Sequence, residues 1–292
     1  MNSQTLGKIC AYTLGIILLC SSVAQAQKIY NPTKQQEYNP KLILKELSQA
    51  NVVYLGEIHD QVEDHKAQLE IIQNIYQKRG KIAIALEMFQ LPYQQVLDEY
   101  LAGKITESEL IEQSEYKKRW GFPFEYYAPI LRFAKQNKIP VLAINTPKEI
   151  TRQVAKNGLD SLTLEQQIYI PPKSEIKTDN LAYKKLIEDV FKQHLQGGHN
   201  QSINIERFFL SQVLWDETMA ETIAEFIKVN PDYQVIVLAG QGHIIYGYGI
   251  PSRVQRRLGD KIKQKSILLN PDTDSQVNNI ADYLWFSVIS NQ

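Results

Sequence analysis

Cysteine is nearly absent. The chain of 292 residues has two, Cys10 and Cys20, both near its N-terminus. The remainder can have no disulfide framework and no thiolate chemistry. Net charge is absent as well, with 32 basic residues against 32 acidic ones. A neutral chain lacks the basic field that non-specific nucleic-acid binding needs, so no nucleic-acid partner is expected. Beyond the first twenty or so positions, no apolar run approaches the roughly 18–20 residues of a membrane-spanning helix. There is no internal repeat and no low-complexity stretch.

The N-terminus does carry one short apolar run. Lys8 precedes residues 9–20, and Ala24-Gln25-Ala26 forms a small-residue cleavage pattern. Residues 1–26 therefore read as a signal peptide of an exported, periplasmic or envelope-associated protein, with the mature chain starting at Gln27. Lipidation at Cys20, which would anchor the protein to the outer membrane, is the rival reading; a small residue should then precede that cysteine, and Leu19 stands there. Residues 27–39 are polar and read as a linker. Residues 40–292 read as one domain.

That domain has an α/β pattern. Short apolar runs at 52–56, 82–86, 141–144 and 235–239 are bounded by turn signals, as buried parallel strands are. A shorter run at 267–269 is a fifth strand, and 281–288 alternates enough to be an edge strand. Helical patterns lie between them, which predicts a mainly parallel central sheet flanked by helices. The interval of about 147–232 lacks strand signals and predicts an all-helical insertion, a lobe or lid, with helices near 178–195 and 203–229. Pro171-Pro172 and Gly197-Gly198 are its natural hinges.

In such sheets ligands bind beyond the carboxyl ends of the strands. Each strand here delivers polar groups at that end: Glu57, His59 and Asp60; Glu87; Asn145 and Thr146; Gln241 and His243. Two Gly-x-x-His motifs, Gly56–His59 and Gly240–His243, stand out. Glu57, His59, Glu87 and His243 together have the make-up of a divalent metal site or of an acid–base cluster. Glycine before each histidine leaves room for a turn and a ligand. The alternative is that these groups cap helices and hydrogen-bond one another.

Other polar residues sit on helices. His65 falls in the apolar stripe of a helix over 62–76 and reads as a satisfied core histidine. Gln212 and Asp216 interrupt the stripe of the helix over 205–227; buried, they need partners, and they either pin the helix to the sheet or line the pocket. Pro251 opens a helix with Arg253, Arg256 and Arg257 in it. That helix start is either an anion site or a solvated basic face. Tyrosines 116, 126, 127, 169 and 183, with Trp120, Phe122 and Phe124, read one by one as ordinary packing; the alternative is an exposed aromatic lid that stacks on a flat ligand, and a phenolate can also ligate ferric haem iron.

Four motifs in order carry a family resemblance: residues 53–60 (VYLGEIHD), 85–89 (ALEMF), Gln212-x-x-Trp215-Asp216-Glu217-x-Met219-Ala220, and 239–243 (AGQGH) followed by Gly249-Ile250-Pro251-x-Arg253. They resemble the ChaN family of haem-binding, iron-regulated envelope proteins, often lipoproteins. The resemblance spans about residues 40–260. It implies an α/β core with a helical lobe and a haem cofactor held by a tyrosine on the iron, for which Tyr169 is the choice. Arg253 is the further cofactor-binding candidate. It also implies a haem-linked homodimer with two stacked haems, and exchange with outer-membrane haem transport machinery. The paired Gly-x-x-His motifs resemble, more widely, the superfamily that includes Tiki-type metal-dependent proteases. In that reading His59 and His243 hold a metal ion, and Glu57 or Glu87 serves hydrolysis.

Overall fold

The computed structural model describes residues 27–196, 204–272 and 278–287. The segment 1–26 read as a signal peptide, both cysteines and Gly197-Gly198 lie outside the described residues. The strands are β1 (Gln27–Asn31), β2 (Gln36–Tyr38), β3 (Val52–Glu57), β4 (Ile82–Gln90), β5 (Val141–Asn145), β6 (Gln234–Gly240), β7 (Gln264–Leu269) and β8 (Tyr283–Ser287). The helices are α1 (Pro40–Leu47), α2 (Val62–Arg79), α3 (Gln94–Leu101), α4 (Glu107–Gln113), α5 (Tyr116–Arg119), α6 (Ala128–Asn137), α7 (Lys148–Asn157), α8 (Leu164–Gln167), α9 (Leu181–Gln196), α10 (Ile205–Val229) and α11 (Ile250–Leu258).

All eight strands join in one sheet, ordered β2-β1-β8-β7-β3-β6-β4-β5. The pairs from β8 to β5 are parallel, and β1 pairs antiparallel with both β8 and β2. β3, β4 and β6 are buried at every position, as strands covered by helices on both faces must be. Side chains alternate between the two faces. Val53 and Leu55 enter one core with residues of α1, α2 and α6; Val52 and Tyr54 enter the other with residues of α10 and α11. Each fully buried aliphatic contributes roughly 1.5–3 kcal/mol of hydrophobic stabilisation, which fixes these strands at the centre.

Two expectations are corrected. Residues 27–39 are not a linker: they form the β1–β2 hairpin on the sheet. Their polarity reflects the sheet margin, where β2 is exposed, while Ile29 is wholly buried. The strand at 281–288 is not an edge strand either. β8 lies inside the sheet, between β7 and β1, with Leu284 and Trp285 fully buried. The long interval after β5 is helical among its described residues and has apolar clusters of its own. One joins Ile150, Val154, Leu162, Ile170 and Leu214; another joins Tyr183, Ile187, Phe209 and Val213.

Candidate functional site

β3 and β6 run side by side in matched register, with Gly56 opposite Ala239 and Glu57 opposite Gly240. The two Gly-x-x-His motifs therefore leave the sheet together, and β4, next to β6, adds Glu87 at the same end. The structure brings Glu57, His59, Glu87 and His243 into one cluster.

Its first half is built on Glu57. One oxygen of this buried carboxylate accepts from His59 Nδ1 at 2.8 Å and from the Tyr127 hydroxyl at 2.5 Å; the other accepts from Gln68 Nε2 at 2.6 Å. His65 lies beneath. Its Nε2 donates to the His59 carbonyl at 3.1 Å, and its ring stacks on Tyr126. It is the satisfied core histidine expected, and it props the loop that carries His59. Buried Asp64 props the same loop, accepting from Ile58 N at 2.8 Å and from Asn270 Nδ2 at 2.6 Å. Burial lifts its pKa to about 7 against the pull of those hydrogen bonds.

The second half is built on His243. Its Nδ1 donates to Asp216 Oδ1 at 2.7 Å, and its Nε2 faces Glu87 Oε1 at 3.4 Å. Asp216 Oδ2 accepts from the Tyr183 hydroxyl at 2.6 Å. Glu87 Oε2 accepts from the backbone N–H of Gly240 at 2.7 Å. Burial alone would depress the imidazole, but the charges of Glu87 and Asp216 outweigh it and raise His243 to about 10. Glu87 moves the opposite way, to about 2: burial opposes its charge, and His243 overrides burial. For His59, burial is likewise outweighed by the hydrogen bond to Glu57 and by the charge of Glu87, so its pKa is raised.

The metal reading gains no support from this arrangement. Among the described residues no three or more His, Cys, Asp or Glu side chains come together so as to hold a metal ion. His243 Nδ1 is engaged by Asp216, and His59 Nδ1 by Glu57. His59 pairs with Glu57, and His243 pairs with Asp216 and faces Glu87. The His59 ring packs closely on Gly240, where a Cβ would lie 3.0 Å from both its Cε1 and Nε2.

Arg253 is not available to an anion. It is buried, its Nε lies 3.2 Å from Glu217 Oε1, and it donates to the carbonyls of Tyr248 and Gly249. Arg256 and Arg257 converge on the same Glu217. Adjacent residues of α10 thus serve two clusters, Asp216 the histidine and Glu217 the arginines. Tyr169 packs, half-buried, against the Ile150–Val154–Leu214 cluster of the lobe; the structure does not bring it to the histidines. Ordinary packing, not an exposed lid, is what Tyr116, Phe124, Tyr127 and Tyr183 show, because they are buried. Trp120 and Phe122 alone of that set flank His59, at 4.8 and 5.1 Å between ring centroids. Gln68 and Asp64 were not foreseen; their one signal was a polar pair beside His65 on an otherwise apolar helix face.

Next to the cluster, α7 and the first half of α10 enclose a groove of about 610 Å³. Trp215 and Phe208 line it, with Arg119, Lys148, Arg152, Lys156 and Arg207. It adjoins one imidazole: Trp215 lies 6.3 Å from the His243 ring.

Fold and site define an α/β protein with a buried carboxylate–imidazole centre at the carboxyl ends of a parallel sheet, beside a cationic, aromatic-walled groove. Residues 43–254 match the haem-binding uptake family described as Tiki superfamily, ChaN, and the chain belongs to that family. The solved structure of cofacial haem binding to ChaN of Campylobacter jejuni is similar, with a TM-score of 0.69 and 20% identity, over 89% of this chain and 96% of that one. The type III effector HopBA1 shares the fold at a TM-score of 0.50 and 14% identity, over 91% of this chain and 98% of that one. Protein RETICULATA-RELATED 5, chloroplastic, of Arabidopsis thaliana is 26% identical over 268 residues. That match takes in 85% of this chain but 35% of the plant protein's length.

Proposed function

We propose that the protein binds haem and takes part in haem uptake or handling in the cell envelope, as an exported protein. The groove carries this reading. A haem has a flat apolar face and two carboxylates; Trp215 and Phe208 offer an aromatic wall, and the basic side chains around them offer the counter-charge. The residues therefore fit the group. When bound, the haem supplies an iron porphyrin, while the chain's own side chains orient it, shield one face and neutralise its carboxylates. Haem-linked pairing of two copies and transfer to outer-membrane machinery belong to the same reading.

Titration of hemin into the purified protein, followed by visible spectra and sedimentation, tests it. A saturable Soret band with a rise in mass is expected. Hemin that binds without saturation overturns haem binding, and a constant mass overturns the pairing.

One observation favours a second reading, acid–base hydrolysis. Two imidazoles are each held by a carboxylate through Nδ1, and one of them, His243, also faces Glu87. That is a set able to take and return protons. Ester or amide turnover that persists in both His59→Ala and His243→Ala would sink it.

A further inference from the structure

We propose that the groove recognises the tetrapyrrole dicarboxylate itself, through its ring face and carboxylates, so that the chain takes iron-free porphyrin as readily as haem. The proposal rests on the haem reading and widens its ligand class.

The observations begin on α7. Lys148, Arg152 and Lys156 recur at every fourth residue and form one row on the helix. The row is about 12 Å long at 1.5 Å per residue, the scale of the edge of a tetrapyrrole ring. Like charges at this spacing repel and weaken a helix. Relief would come from an acidic neighbour, yet the groove lining includes no Asp or Glu among the described residues. Lys148 is tied to the carbonyl of Lys118, and Arg119 is paired with Glu115 and Glu149. Arg152 and Lys156 have no carboxylate within salt-bridge distance among the described residues. From across the groove Arg207 donates to the carbonyl of Lys156 and fixes the end of α7 against α10. This leaves a cationic row in the same groove as Trp215 and Phe208, complementary to a flat dianion.

Among the described residues, those around the groove include no Tyr, His, Cys or Met. The groups present are guanidinium, ammonium, aromatic and small polar, and these read carboxylates and a π-face. The nearest imidazoles are committed to Glu57 and to Asp216.

The test uses three probes on the whole protein: hemin, protoporphyrin IX and protoporphyrin IX dimethyl ester. Binding is followed by porphyrin fluorescence for the metal-free probes and by the Soret band for hemin. Protoporphyrin IX is expected to bind within about threefold of hemin, and the ester roughly tenfold more weakly. R152E/K156E is expected to weaken both acids by roughly tenfold with an unchanged melting temperature, because both side chains are exposed. Trp215→Leu is expected to weaken all three probes. Hemin bound and protoporphyrin IX refused overturns the inference and leaves the haem reading standing. Both acids bound equally by wild type and R152E/K156E also overturns it, since the site is then elsewhere. Neither acid bound by the wild type removes both readings.

Discussion

Asp216 Oδ1 accepts from His243 Nδ1 at 2.7 Å, and through that bond α10 is fastened to the turn after β6. Both groups are buried, so removing the carboxylate leaves the imidazolium with Glu87 alone of its two carboxylates. Breaking one partner of a buried ion pair typically costs about 3–5 kcal/mol. Asp216→Ala should lose stability on that scale in urea denaturation. Tyr183→Phe, which removes one hydrogen bond to the same carboxylate, should lose about 1–3 kcal/mol.

The pH dependence follows from opposite shifts. His243 rises from 6.5 to about 10, so its contribution is full below pH 6.5 and is lost as pH climbs through 10. Glu87 falls from 4.5 to about 2, so its contribution is full above pH 4.5 and is lost as pH drops through 2. Asp64, raised from 3.8 to about 7, adds a decline as pH climbs through 7. Comparing wild type with His243→Gln isolates the pair. The difference in unfolding free energy should be greatest between pH 4.5 and 6.5 and shrink toward pH 10; a flat difference across that range would contradict the assignment.

Three glycines near the histidines should behave differently on substitution by alanine. At Gly249 the new Cβ would lie 2.2 Å from the His243 carbonyl oxygen, a backbone atom that cannot step aside. Gly249→Ala should therefore be severely destabilising or fail to fold. At Gly240 the obstacle is the edge of the His59 ring at 3.0 Å, so Gly240→Ala should fold with a displaced His59 resonance in NMR spectra. Gly242 meets nothing within 4 Å, and its alanine variant should match wild type within about 0.5 kcal/mol.

Tyr127 and Tyr169 make a second contrast. Tyr127→Phe removes a donor from buried Glu57 and should cost about 1–3 kcal/mol. Tyr169 is half-buried with no such partner, and Tyr169→Phe should leave stability within about 0.5 kcal/mol and the hemin Soret band in place. Loss of that band would put the Tyr169 phenolate on the iron.

The central strands were legible because burial on both faces leaves an unbroken apolar run, as at 82–86. The gathering of Glu57, His59, Glu87 and His243 was legible because parallel strands deliver their ends to one side. What they form there was not. Ligand set and hydrogen-bonded pair use the same residue types, and the difference lies in where Asp216, Tyr127 and Gln68 point from three separate helical segments. Sequence spacing also hid the groove, whose walls come from segments far apart. The β1–β2 hairpin escaped because strands at a sheet margin keep a polar composition, and β8 because its alternation was taken as a sign of the edge.

The position of β8 has a consequence for the order of assembly. The strand nearest the start of the described chain, β1, pairs only with β2 and with β8, more than 250 residues later in sequence. As the chain leaves the ribosome, β3 and β4 can gather helices while that hairpin has no partner in the sheet. Closing so long a loop is slow. Burial of Ile29 and Trp285 must therefore await nearly the whole chain, and truncation at either end should leave an unpaired strand edge open to association.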